Sequence, residues 1–117
     1  MTATPPVTWQ VRLSAAAERD FQSILTWIAE QFGAAQARSY ADILTAAILA
    51  LNGGPDILGA KSRDEIAPGL RVLHAARHGR RARHFLLYRA GPDAVIEVLR
   101  ILHDAMDIER HLSHGGR

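Results

Sequence analysis

The second half of the chain carries three short apolar runs in quick succession: Leu70 to Ala76, Arg83 to Arg89 and Ala94 to Leu102. The links between them, Arg77-His78-Gly79-Arg80 and Ala90-Gly91-Pro92-Asp93, are turn-forming and too short for a crossover. The runs therefore predict consecutive antiparallel strands, a meander. In the third run Val95, Leu99 and Ile101 alternate with Ile96, Val98 and Leu102, so both faces are apolar. That pattern predicts a central strand covered on at least part of both faces.

A sheet with an apolar face needs a second layer, and two helical patterns precede the meander. Ala17, Phe21, Ile24, Leu25, Ile28 and Phe32 recur at helical spacing behind Ser14, a hydroxyl N-cap, with Glu18 and Asp20 in the first turns. Gly33 stops this helix. Ala37, Tyr40, Ile43 or Leu44, Ala47, Ile48 and Leu51 form the stripe of a second helix, which Asn52-Gly53-Gly54-Pro55 ends. So short a junction predicts an antiparallel helical hairpin. Upstream, Val7, Trp9, Val11 and Leu13 alternate with polar residues as in a half-buried strand. Asp56 to Ala67 reads as loop and Asp104 to Leu112 as one or two turns of helix. The expectation is an α+β fold: N-terminal strand, antiparallel helical hairpin, three-stranded antiparallel meander and short C-terminal helix. Residues 1–117 form one domain, with flexible ends at 1–6 and 113–117.

The chain has no cysteine, which excludes a disulfide or a thiolate metal site and fits a cytoplasmic location. The start Met1-Thr2-Ala3-Thr4-Pro5-Pro6 has neither a basic nor a long apolar region, so no signal peptide and no membrane association are expected. Formal net charge is only +2, but residues 61–100 hold 9 Lys/Arg against 4 Asp/Glu. Basic charge on the sheet half suits an acidic partner, whether nucleic acid or an acidic protein segment. The turn Arg77-His78-Gly79-Arg80-Arg81-Ala82-Arg83 is its densest part. It reads equally as a hairpin tip kept soluble by charge and as a contact surface. Six histidines make no recognised zinc spacing, so neither metal nor cofactor is expected.

The ordered set Pro68-Gly69-Leu70-Arg71, His84-Phe85-Leu86-Leu87-Tyr88-Arg89, and Arg100-Ile101-Leu102-His103 followed by Met106-Asp107 resembles the RelE/ParE family of bacterial toxins, nearer its ParE branch. Ala16, Asp20, Ala37, Tyr40, Pro55, Gly59 and Glu65-Ile66 add weaker matches, and the likeness spans about residues 9–112. The resemblance implies a toxin of a type II toxin–antitoxin module that poisons DNA gyrase by binding. It also implies neutralisation by a cognate antitoxin whose disordered segment folds onto the toxin. Candidate antitoxin contacts are Arg71, Arg83, Arg89 and Arg100, and candidate target contacts are His103, Asp107 and His111. No direct sequence-specific binding of nucleic acid is expected.

The RelE branch resembles messenger RNA endonucleases, which need a base for the ribose 2′-OH, a cation for the phosphorane and an acid for the leaving oxygen. Here Phe85 stands where an Arg would be expected, and Asp104 and Asp107 follow the third strand where basic residues would be. If the chain were such a nuclease, His84, His103 and Arg83 would be the catalytic candidates. Each also has a structural reading: His84 as a packed sheet residue, His103 as a bond to the next turn. Tyr88 reads as a core aromatic with its hydroxyl at the rim.

Overall fold

A computed structural model describes residues 8–106 and Ile108. The elements are β1 (Gln10–Leu13), α1 (Ala15–Phe32), α2 (Ala34–Ala50), a 3-10 turn (Leu51–Gly53), β2 (Lys61–Ser62), β3 (Leu70–His74), β4 (His84–Ala90) and β5 (Val95–His103). They form a five-stranded mixed sheet in the order β1-β5-β4-β3-β2, with the helical hairpin on one face. β3, β4 and β5 are successive antiparallel neighbours, and β1 joins β5 in parallel, pairing Gln10 with Val95 and Leu13 with Val98.

The expected four strands are five. The added strand, β2, lies inside the segment read as loop, pairing Lys61 with Val72 and Ser62 with Arg71. Two residues carry no hydrophobic period, which is why it left no trace in the sequence. The first strand begins at Gln10, with Trp9 just before it; Val7 lies with residues 1–6, 107 and 109–117 outside the described residues. Most of the expected C-terminal helix lies there too; of its residues after Met106 only Ile108 is described, and it is buried.

β5 is central and apolar on both faces. On the helix side Ile96, Val98 and Ile101 pack with Leu86, Tyr88 and Leu73 against Ala17, Leu44, Ala47 and Leu51. On the other side Leu102 packs with Leu70, Phe85 and Leu87 beneath Ile66, Ala67 and Ile108. Tyr88 is fully buried, and its hydroxyl donates to the Pro55 carbonyl at 2.7 Å, so the polar tip is satisfied inside and not at a rim.

A single glycine turns α1 into α2. Gly33 has φ 96° and ψ 164°, a region open almost only to glycine, and its N–H donates to the Ala29 carbonyl at 2.9 Å. The turn brings the far end of α1 beside the start of α2, which later defines one wall of a groove.

The near end of α1 is fastened to β5. Leu99 is an extra residue, since Leu87 pairs with Arg100 and Tyr88 with Val98. Such a bulge leaves backbone groups without a strand partner, and α1 supplies them. The Ser14 N–H continues the β1–β5 ladder onto the Val98 carbonyl at 2.9 Å, and its hydroxyl, at the N-cap of α1, donates to the Leu99 carbonyl of the bulge at 2.8 Å. The same Oγ accepts from the Ala17 N–H at 3.0 Å as the N-cap of α1. One turn on, Asp20 accepts from Arg100 through Nε at 2.7 Å and Nη2 at 3.0 Å, and from the Ile101 N–H at 2.9 Å. The bidentate Asp20 pairing raises the Arg100 pKa, against the lowering effect of burial.

Asp20→Ala removes three charge-assisted bonds and leaves a largely buried guanidinium unpaired. It should lower the unfolding free energy by about 2–3 kcal/mol in urea titrations. A loss below about 0.5 kcal/mol would mean the clamp contributes nothing.

Candidate functional site

Five large apolar side chains are exposed among the described residues, and three of them, Trp27 (56%), Phe32 (64%) and Met106 (45%), border one groove. Its walls are Ile24, Trp27, Ile28 and Phe32 of α1 with Gln36 and Tyr40 of α2, and its floor is Arg83, His84, His103 and Met106 from the sheet end. The volume is about 830 Å³. Trp27 and Phe32 meet edge to face with centroids 5.8 Å apart. Phe32, which its spacing places with the core residues of α1, is therefore groove rim, because the helix runs past the edge of the sheet core before Gly33 turns it. The hydrophobic period alone does not reveal where the opposing layer ends.

Apart from Met106 the floor is polar, and Tyr40 of α2 ties part of it together. The Tyr40 hydroxyl accepts from the Arg83 N–H at 3.0 Å and shares a hydrogen bond with His84 Nδ1 at 2.6 Å. This short contact ties the His84 ring to α2. Burial pushes its pKa down to about 4, with the nearby His103 acting the same way. Burial likewise raises the Tyr40 pKa. The His84 and His103 rings meet edge to face with centroids 5.3 Å apart, as paired positions of β4 and β5. His103 Nδ1 accepts the Ala105 N–H at 3.1 Å, so this histidine bonds the following turn.

Asp104 sits at the centre of the remaining charges. Its carboxylate hydrogen-bonds His74 Nε2 at 3.2 Å and lies 3.6 Å from Arg83 Nε, with His103 Nδ1, which accepts from Ala105, also 3.6 Å away. The His74 hydrogen bond is the main reason its pKa is lowered. His74, His84, His103, Arg83 and Asp104 thus converge at one end of the sheet. No group of three or more His, Cys, Asp or Glu able to hold a metal ion occurs among the described residues.

The nuclease candidates Arg83, His84 and His103 are brought together in the groove floor. The four antitoxin-contact arginines are not. Arg100 is spent on Asp20, and Arg71 pairs with Asp56 at 2.7 Å. Arg89 faces Glu97 at 3.9 Å, and Arg83, 73% exposed, reaches Asp104. Of the target-contact candidates His103 lines the groove, while Asp107 and His111 lie outside the described residues. The sequence did not single out Trp27; it offered Met106 as a point of resemblance, Tyr40 as a helix-stripe residue and Asp20 as a first-turn acid, and none of them as a site residue. Trp27 lies one position before Ile28, at the edge of the α1 stripe, and that placement was its only signal.

A model of the family described as the ParE toxin of the type II toxin–antitoxin system parDE matches residues 11–108. The chain belongs to the ParE toxin family. It is 35% identical over 100 residues to Toxin ParE1 of Mycobacterium tuberculosis, covering 86% of this chain and 94% of that protein. It is 35% identical over 101 residues to Toxin ParE of Escherichia coli, covering 86% and 90%. Among solved structures, the chromosomal ParDE toxin–antitoxin system of P. aeruginosa shares the fold at a TM-score of 0.67 and 18% identity, over 82% of this chain and 96% of that one. The toxin–antitoxin complex RelBE2 of Mycobacterium tuberculosis aligns at a TM-score of 0.55 and 26% identity, over 86% and 95%. This ParE family member carries no helix among its described residues long and apolar enough to cross a membrane.

The low His84 pKa has a consequence for stability. A histidine whose folded pKa lies below its unfolded value binds its proton more readily when unfolded. His84 therefore leaves stability untouched above its ordinary 6.5 and erodes it as pH falls from there toward 4. An NMR titration should give His84 a midpoint near 4; a midpoint at or above 6 would show that the ring is not held neutral by its surroundings.

Proposed function

We propose that this ParE family member is the toxin of a type II toxin–antitoxin module, that it inhibits DNA gyrase by binding, and that a cognate antitoxin neutralises it by covering the groove. The observation that carries this reading is the contrast between the groove's two parts. The walls are apolar and exposed, which is what a protein partner buries. In the floor, Tyr40 and His84 bond each other, His103 Nδ1 takes the Ala105 N–H, and Arg83 lies against the Asp104 carboxylate. A ribonuclease would need a free base beside an unpaired cation. Here Arg83 and His103 face Asp104, which opposes an incoming phosphate.

An antitoxin is supported by the solved relatives, a ParDE system and a RelBE2 complex. An amphipathic helix laid between Trp27, Phe32 and Met106 would bury their exposed surface. Acidic residues on it would exchange with the internal partners of Arg83, and of Arg71 and Arg89 where the segment continues over the sheet. Arg100, tied to Asp20, is the least available of the four. His103, in the groove floor, is the target-contact candidate among the described residues.

The clustering of His84, His103 and Arg83, with the likeness to RelBE2, favours a second reading as a ribosome-dependent messenger RNA endonuclease. Pulse labelling after induction of the chain alone separates the two. The gyrase reading expects DNA synthesis to fall first, and purified protein to inhibit gyrase supercoiling. An earlier fall of protein synthesis, abolished by His84→Ala with His103→Ala, would establish the nuclease instead.

The wall itself is tested by the double substitution Trp27→Asp with Phe32→Asp. Both side chains are mostly exposed, so thermal unfolding should change little. Capture of the antitoxin encoded beside the toxin should weaken at least about 30-fold, the loss of one or two interface hot spots. Unchanged capture would move the antitoxin site elsewhere.

A further inference from the structure

From Ile66 to Pro92 the chain holds six arginines and no aspartate or glutamate. Four of the six fall in the segment between β3 and β4, Ala75-Ala76-Arg77-His78-Gly79-Arg80-Arg81-Ala82-Arg83, which the groove does not account for except at Arg83. This segment is a shaped turn. His78 and Gly79 both take left-handed backbone, at φ 52° and 78°, and the Arg80 N–H closes on the Arg77 carbonyl at 3.0 Å. The Ala75 N–H donates to the His84 carbonyl at 3.0 Å, holding the base. Arg77 is half-buried and donates through Nη2 to the Leu58 carbonyl at 3.2 Å, which pins one side.

Arg80, Arg81 and Arg83 are exposed. Among the described residues no carboxylate lies within ion-pair distance of Arg80 or Arg81, whereas Arg63, Arg71, Arg83, Arg89 and Arg100 all have one. Arg77 and Lys61 also lack a carboxylate partner among the described residues, but Arg77 is half-buried against the Leu58 carbonyl and Lys61 lies apart on β2, so Arg80 and Arg81 are the uncompensated charges exposed together at the tip. The side chains between the arginines are small or polar, Ala, Gly and His only. A folding protein segment would need apolar anchors to bury, and the turn offers none beyond alanine methyls. A phosphate backbone needs no such anchor, because neutralising phosphates and releasing their counterions supplies the binding free energy.

We infer that the β3–β4 turn is a sequence-independent contact for the phosphate backbone of double-stranded DNA, made by Arg80, Arg81 and Arg83. The choice of DNA over RNA rests on the gyrase reading, since gyrase holds duplex DNA; the phosphate contact itself rests on the turn alone. The turn meets the groove at Arg83, so a toxin seated on gyrase by its groove would present this turn to nearby duplex.

The test is fluorescence anisotropy of a labelled random-sequence 20-base-pair duplex with the full chain, without gyrase, from about 50 to about 200 mM salt. Three phosphate contacts predict a log–log salt slope of about −2.7, or roughly 40-fold weakening over that range. Arg80→Ala with Arg81→Ala should leave a slope of about −0.9 and roughly 3.5-fold weakening. Arg19→Ala with Arg38→Ala, on the exposed helices, should bind as the parent does. Circular dichroism checks that both variants are folded. Binding of the Arg80/Arg81 variant with the parent's affinity and slope would overturn the inference. So would equal binding of a labelled poly-glutamate peptide, or a preference for duplex RNA. Supercoiling inhibition is scored separately. Parent protein that binds DNA through the turn yet leaves gyrase active removes the gyrase reading and keeps this contact. Parent protein that inhibits gyrase while the double variant binds DNA unchanged does the reverse.

Discussion

The clamp between the first turns of α1 and the bulge of β5 is the interaction on which the rest of the molecule depends. A bulge in a central strand costs ladder bonds, and a helix start leaves N–H groups without partners. Ser14 and Asp20 satisfy both deficits with two side chains separated by five residues. Arg100 adds a charge pair in a place largely shielded from water, where such pairing counts for more than on a surface. The result fixes the rotation and slide of α1 on the sheet.

That placement decides the geometry at the other end of the helix. α1 has 18 residues, about 27 Å at 1.5 Å per residue. Anchored at Ser14, it carries Trp27 and Phe32 past the packed region to the histidine-bearing end of β4 and β5. Gly33 then returns α2 close enough for Tyr40 to reach the Arg83 backbone and His84. The groove is therefore a product of register: an apolar wall set by one helix, a polar floor set by two paired strands, and a tyrosine from the second helix joining them.

Much of the fold was legible because it rests on periodicity. The helix stripes through Leu44, Ala47 and Leu51 and the two-faced pattern of Val95 to Leu102 name buried residues with little ambiguity. Ends were less so, since strand limits depend on pairing partners; Ala75 and Ala76 read as strand but lie beyond β3. The two-residue β2 and the parallel partner of β1 carry no local pattern at all, being set by tertiary contact alone. At the site, the sequence named His84, His103 and Arg83 as neighbours in function, and they are neighbours in space. It could not show that Asp104 and Tyr40 already engage them, because partners brought together from separate elements leave no mark on spacing. The arginines chosen by charge proved scattered, because charge composition carries no direction.

The parallel pairing of β1 with β5 has a consequence for how the chain comes into being. An N-terminal strand whose sheet partner is the final strand waits unpaired while everything between them is synthesised. The helical hairpin forms early from local contacts, but its seat on Val98 and Leu99 does not yet exist. Assembly is thus a late, nearly all-or-none closure around β5. A nascent chain consequently has an incomplete groove, without His103 and Met106 and with α1 not yet seated, until that strand arrives.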